Sequence, residues 1–157
     1  MHRQADLNDL NAIRSLVEDA FAPFAARIGV RPLPMDDDYA ARIARHEVWV
    51  LGEMDGVIVL VPHADHLLVV NVAVRPALQG NGLGARLLAF AEQRAHAQHL
   101  DELRLYTNRL MTENRAFYAR LGYEELEQET AQGRQAVWML KRLGEDPGCR
   151  RAFRQSR

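Results

Sequence analysis

Residues 67–95 limit the possible folds of this chain more than any other stretch. They read LLVVNVAV, then RPALQGNGLG, then ARLLAFAEQRA. A near-continuous apolar run of this kind marks a strand covered on both faces. Pro76 cannot donate to a sheet ladder and ends it. From 83 to 98, Leu87, Ala91 and Ala95 fall on one helical stripe with Leu88 beside it. The next strand-like segment is ELRLYT, 102–107. Strand, helix and strand in one sheet form a right-handed crossover, so the two strands should run parallel.

The remaining segments supply short connections around that unit. Asp6 precedes a helical pattern of Leu7, Leu10, Ile13, Val17 and Ala20 that extends to about Phe24, with a break expected near Pro23. GVRPLP, 29–34, reads as a linker, and DDDYAARIAR as a short helix with an acidic start. VWVLGEM (48–54) and VIVLVPHA (57–64) alternate as strands about Asp55-Gly56, a hairpin signal, and Asp65 opens the long strand. Thr112 is placed to cap a helix that Gly122 stops, and a last strand pair folds about Gln132-Gly133. The pattern predicts an α/β (α+β) fold: a mixed sheet of six to seven strands with helices on both faces. At 157 residues the chain suits one domain, taken as 1–143, followed by a basic tail, 144–157, that carries four arginines.

The turn itself holds Gly80, Gly82 and Gly84 ahead of a helix N-terminus, the geometry that presents main-chain N–H groups to an anion. Three patterns compete for it. Gly80-x-Gly82-x-x-Ala85 fits the loose dinucleotide fingerprint, but the ribose-binding acid expected after the next strand is replaced by Tyr106, Thr107 and Asn108. A phosphate loop of the Gly-Lys-Ser/Thr type fails at Gly84-Ala85-Arg86. Gln79-x-x-Gly82-x-Gly84 resembles the pyrophosphate loop of the GNAT superfamily of acetyl-CoA-dependent N-acetyltransferases. Downstream, TENRAFYARLGY (112–123) resembles that family's second motif, a helix carrying a tyrosine and ending in Leu-Gly-aromatic.

The resemblance, which covers residues 3–142, implies a GNAT fold with splayed parallel strands in the middle of the sheet. It implies acetyl-CoA as cosubstrate, no metal, and an amine-bearing acceptor. Val72, Ala73 and Val74 would pair with the pantetheine arm. The turn Gln79, Gly80, Asn81, Gly82, Leu83 and Gly84 would hold the pyrophosphate through its amides. Tyr118 would serve as general acid, since a phenol stays protonated at neutral pH and can donate to a departing sulfur. Asn114, one helical turn before Tyr118, and Asn108 are further cofactor candidates. Many family members carry an asparagine where this chain has Met111. Asn71, inside the apolar run, is either the site of a strand-spreading bulge or a satisfied core residue.

The general base is not obvious. The family's usual glutamate position corresponds to Leu68, which leaves His66, then Glu53 and Asp65, as candidates, or a water chain. Phe24, Arg27, Asp38 and Tyr39 are candidates for the acceptor site, with Phe21, Arg31, Asp36 and Asp37 nearby. An acidic mouth would steer a cationic amine. A net charge of −1 argues for neither nucleic acid nor membrane, and no signal-like or bilayer-long apolar run suggests anything but a cytoplasmic protein. Homodimerisation through a sheet edge is left open. The competing function is a non-catalytic acyl-CoA-binding or sensing module on the same fold.

Overall fold

The computed structural model describes residues 1–131 and 134–144. The expected turn at Gln132-Gly133 and most of the basic tail lie outside the described residues. One seven-stranded sheet runs in the order β1-β2-β3-β4-β5-β7-β6. Its strands are β1 (His2–Gln4), β2 (Val48–Leu51), β3 (Gly56–Pro62), β4 (Leu67–Val74), β5 (Glu102–Asn108), β6 (Glu124–Ala131) and β7 (Arg134–Arg142). Helices α1 (Leu10–Ile28) and α2 (Tyr39–Ala44) precede β2, α3 (Leu83–Ala97) joins β4 to β5, and α4 (Thr112–Arg120) joins β5 to β6. β4 and β5 are parallel and every other neighbouring pair is antiparallel, as the crossover requires.

Two apolar cores lie on opposite faces of the sheet. Ile13, Leu16, Val17, Ala20 and Phe21 of α1 and Tyr39 and Ile43 of α2 pack on Val48, Val50, Val57, Val59, Val70 and Ala73. Leu87, Leu88, Ala91 and Ala95 of α3 pack on Ile58, Leu60, Leu67, Val69, Leu103 and Leu105. Burial on both faces explains why β3 and β4 read as continuous apolar runs. Gly56 is a packing requirement: a Cβ there would stand 2.9 Å from Leu87 Cδ1 and 3.2 Å from the Ala73 carbonyl oxygen.

Two irregularities in β4 shape the middle of the sheet. β4 pairs with β5 only at Leu67–Val69 opposite Leu103–Leu105, although β4 continues to Val74 and β5 to Asn108. Beyond Val69 the two strands splay. On the other side, Val59 pairs with Asn71 but Leu60 pairs with Val69, so Val70 is one residue extra, a β-bulge. The bulge inverts the strand's alternation. Leu67 and Val69 face α3, and after the bulge Val72 and Val74 do so instead. Asn71, opposite Val59, turns to the α1 face with Val70 and Ala73.

Local sequence cues misplace four features. α1 does not break at Pro23 but runs to Ile28, because Phe24 and Ile28 pack on the core and offset the hydrogen bond that proline removes. The β2–β3 connection is the four residues 52–55, with Gly52 and Met54 at positive φ and Asp55 N–H donating to Leu51 O, rather than a two-residue Asp-Gly turn. Thr112 does not cap α4; the preceding residue Met111 holds that position with no side-chain capping bond, while Asn108 Oδ1 accepts from Leu110 N–H. β1 was not anticipated, since three residues carry no period to read.

Burial holds the phenols of Tyr39, Tyr118 and Tyr123 above their ordinary value. A raised folded-state pKa contributes stability below pH 10 that is lost as pH climbs through 10 toward the folded value. Each phenol still protonated at pH 11 therefore costs about 1.4 kcal/mol relative to pH 9, about 4 kcal/mol for the three. Urea unfolding at pH 9 and 11 should show that loss, and Tyr39→Phe should remove about a third of it.

Candidate active site

The glycine turn connects β4 to α3 through a short 3-10 turn, Pro76–Leu78. Gly80 and Gly82 adopt φ of +84° and +79°, and nothing lies within 4 Å of where a Cβ would stand on either. Their glycines are thus required by backbone conformation. Gly84 differs: its φ is not positive, and a Cβ would meet the Phe117 ring at 3.3 Å, so glycine lets α3 lie against α4. Gln79 Nε2 donates to Val74 O (3.1 Å) and Asn81 Nδ2 donates to Leu78 O (3.0 Å). These side chains brace the turn from behind. The first intrahelical bond of α3 runs from Arg86 N–H to Gly82 O. Among the described residues, the six N–H groups of Gly80 to Ala85 therefore find no acceptor. Six consecutive free donors at a helix N-terminus form an anion cradle.

The cradle opens into a slot with two lobes. One is lined by Gln79, Gly80, Gly82, Leu83 and Gly84 together with Val72, Ala73 and Val74, and Phe24 stands at its edge. The other lies between the splayed strands and holds a cavity of about 70 Å³ that opens to solvent. Phe21, Val72, Asn114 and Tyr118 line both lobes and mark where they meet. Asn114 and Tyr118 stand one turn apart on α4, and among the described residues neither side chain has a hydrogen-bond partner. Removal from water pushes the Tyr118 phenol up to about 12, so it is a donor throughout the physiological range. Asn108 lines the second lobe while its Oδ1 is engaged by Leu110 N–H.

Several expected residues lie elsewhere or are engaged. His66 precedes β4, stacks on His63 and holds Asp65 Oδ1 at 2.6 Å, which lowers the Asp65 carboxyl. It lines neither lobe and stands roughly 16 Å along the strand from Asn71. Leu68 packs on the α1 core. Asp38 caps α2 by accepting from Ala41 N–H (3.1 Å), Asp36 bonds Arg31 (2.7 Å) and Asp37 bonds Arg42 (3.0 Å). The acidic run is consumed in structure. Arg27 lies over the Phe24 ring and bonds Glu113 (3.2 Å), joining α1 to α4 beside the slot. Tyr39 is buried. Residues not anticipated are Tyr106, Met111 and the Pro32–Pro34 segment, all lining the second lobe. Only the splaying of two strands brings them together, and no local pattern announces that.

A family model for the acetyltransferase (GNAT) domain matches residues 44–125. That span is more than half of the chain and includes both the glycine turn and α4. The chain belongs to the GNAT acetyltransferase family. Solved structures agree with that assignment in fold. PaiA N-acetyltransferase from Thermoplasma acidophilum, in complex with coenzyme A, superposes with a TM-score of 0.73 at 18% identity, covering 90% of this chain and 98% of that one. The ribosomal-protein-S18-alanine N-acetyltransferase of Escherichia coli gives a TM-score of 0.67 at 20% identity, covering 93% and 95%. N-acetylglutamate synthase from Neisseria gonorrhoeae, complexed with coenzyme A and N-acetyl-glutamate, gives 0.72 at 20% identity, covering 92% of this chain and 35% of that one. The splayed parallel pair at the centre of the sheet is accordingly that of a GNAT domain.

In this GNAT domain the turn's glycines should matter even without a ligand. Gly80→Ala and Gly82→Ala each place a Cβ at positive φ and should cost about 1–2 kcal/mol in chemical denaturation, although neither residue buries anything.

Proposed function

We propose that the protein is an N-acetyltransferase that moves the acetyl group of acetyl-CoA to a primary amine by direct transfer in a ternary complex. The observation that carries this reading is the junction of the slot: six free amides lead to a strand edge without a ladder partner, and that edge leads to an unbonded, protonated tyrosine. The donor set fits coenzyme A: Gly80–Ala85 N–H groups match a diphosphate without metal or lysine, and Val72–Val74 offer an unpaired strand edge to an amide-bearing arm. When bound, acetyl-CoA supplies an activated acyl group as a thioester.

The chain's own residues then align and polarise. A main-chain N–H near Val72 is available to bond a carbonyl oxygen, an electrostatic contribution on the pattern of an oxyanion hole. Tyr118 Oη donates a hydrogen bond toward the departing sulfur. A thiol titrates near 8.5, so full proton transfer from a phenol near 12 is uphill by about 3.5 units, or about 5 kcal/mol. Tyr118 therefore stabilises developing thiolate charge, and the proton lost by the amine balances the thiol released. No cysteine lies in the motif region to carry a covalent acetyl group.

Leu68 in place of a carboxylate is what favours the second reading, a module that binds acyl-CoA without turnover. An amine screen that detects free coenzyme A separates the two: turnover on any amine excludes the second reading, and tight binding with no turnover excludes the first. Acetyl-CoA should raise the melting temperature, as any ligand of the native state must. Tyr118→Phe should lower kcat about 100-fold while that thermal shift stays the same. An unchanged kcat would remove Tyr118 from the mechanism.

A further inference from the structure

The lobe between the splayed strands has a lining of unusual uniformity. None of its sixteen lining residues is formally charged, and ten are apolar. The charged side chains around its mouth hold one another, three arginines to four carboxylates: Arg31 with Glu18 and Asp36, Arg42 with Asp37, Arg27 with Glu113. A polycation or a carboxylate entering here would surrender its hydration with no counter-charge in the lining to meet it.

Six of the sixteen are polar, and among them Asn71 is the one with a buried oxygen left unbonded. Asn71 is 4% exposed and its Oδ1 has no hydrogen-bond partner. Its amide orientation follows from its neighbours. Tyr39 Oη lies 2.6 Å from Pro34 O, which can only accept, so the tyrosine proton is committed there. The Tyr39 oxygen then accepts, and the group facing it at 3.0 Å must be Asn71 Nδ2–H. Oδ1 is left on the other side of the amide, in a residue that lines the lobe. The bulge at Val70 is what brings Asn71 to this face; a regular strand would send it into the α3 core. A buried acceptor without a donor is destabilising, and a ligand N–H would relieve that cost. An acyl chain carries no donor and would not.

We propose that this lobe is the acceptor site, that Asn71 Oδ1 receives the N–H of the acceptor amine, and that the acceptor is a small amine on an uncharged, apolar body such as an arylalkylamine. The inference rests on the acetyltransferase reading. Asn71 is a positioning and specificity residue held by Tyr39. The absence of charge also addresses the missing base. A site that offers a carbonyl acceptor but no carboxylate favours the neutral amine over the ammonium ion, so the nucleophilic form is selected on entry.

Phenethylamine, spermidine and glutamate, each added to the protein saturated with coenzyme A, test the claim by thermal shift. Phenethylamine should add a further shift and the other two none. In Asn71→Leu the coenzyme A shift should persist and the phenethylamine shift vanish. In Tyr39→Phe, which frees the Asn71 amide to turn, the KM for phenethylamine should rise about tenfold with the KM for acetyl-CoA unchanged. Coenzyme A stabilisation without any response to phenethylamine, or with an equal or larger response to spermidine or glutamate, overturns the inference and leaves the acetyltransferase reading standing. No response to coenzyme A overturns that reading, and the inference with it. If Asn71→Leu fails to fold, the wild-type panel and Tyr39→Phe still decide.

Discussion

Main-chain hydrogen-bonding groups must find partners, and the centre of this fold is built around a set that does not. The β4–β5 ladder stops at Val69 and Leu105, and the turn that follows β4 leaves the amides of Gly80 to Ala85 without acceptors. Both features have causes in the sequence. Gly80 and Gly82 hold left-handed φ that presents consecutive N–H groups on one side, and Gln79 and Asn81 anchor the turn by their side chains so that its donors stay outward. The two-faced core holds the ends of this open region in place, because α1 and α3 fix β3 and β4 from opposite sides. A rigid scaffold thus carries unsatisfied donors at fixed positions, which is the preorganisation that binding a diphosphate needs.

A second constraint acts at the other end of the slot. Charged side chains around it are engaged with one another, and the lining itself carries no formal charge. Water-poor surroundings raise the Tyr118 phenol and would lower the pKa of an amine, so both partners of the proposed transfer are held in their uncharged forms. The same surroundings strengthen hydrogen bonds to any charge that develops there. Catalysis of this kind draws on placement and dielectric, with less demand on a strong general base.

The sequence made some of this legible. The apolar run, the proline stop and the 3.6-residue stripe after Leu83 sufficed for β4, α3 and a parallel β5, because burial on both faces leaves an unambiguous pattern. The turn was legible because positive φ demands glycine. What was not legible depends on packing at a distance. Pro23 reads as a break, yet tertiary contacts carry α1 through it. The run Asp36-Asp37-Asp38 reads as an electrostatic mouth, yet Asp38 is taken by the helix it caps, and Asp36 and Asp37 by Arg31 and Arg42, which no spacing rule identifies. His66 reads as a neighbour of the site because it stands two residues before Leu68, yet it precedes β4, roughly 16 Å along the strand from Asn71, and lines neither lobe. Asn71 stood between two readings, a bulge and a core amide; it adjoins the bulge, and its amide is satisfied on one side only.

The claim on which the rest depends is that the six turn amides, and not side chains, hold the charged end of coenzyme A. Amide chemical shifts of a nitrogen-15-labelled protein, recorded during titration with coenzyme A and separately with pantetheine, which lacks the diphosphate, measure it directly. The six N–H signals of Gly80 to Ala85 should move downfield with coenzyme A and stay nearly still with pantetheine, while Val72 to Val74 respond to both. Saturation with coenzyme A that leaves those six signals in place would contradict the account.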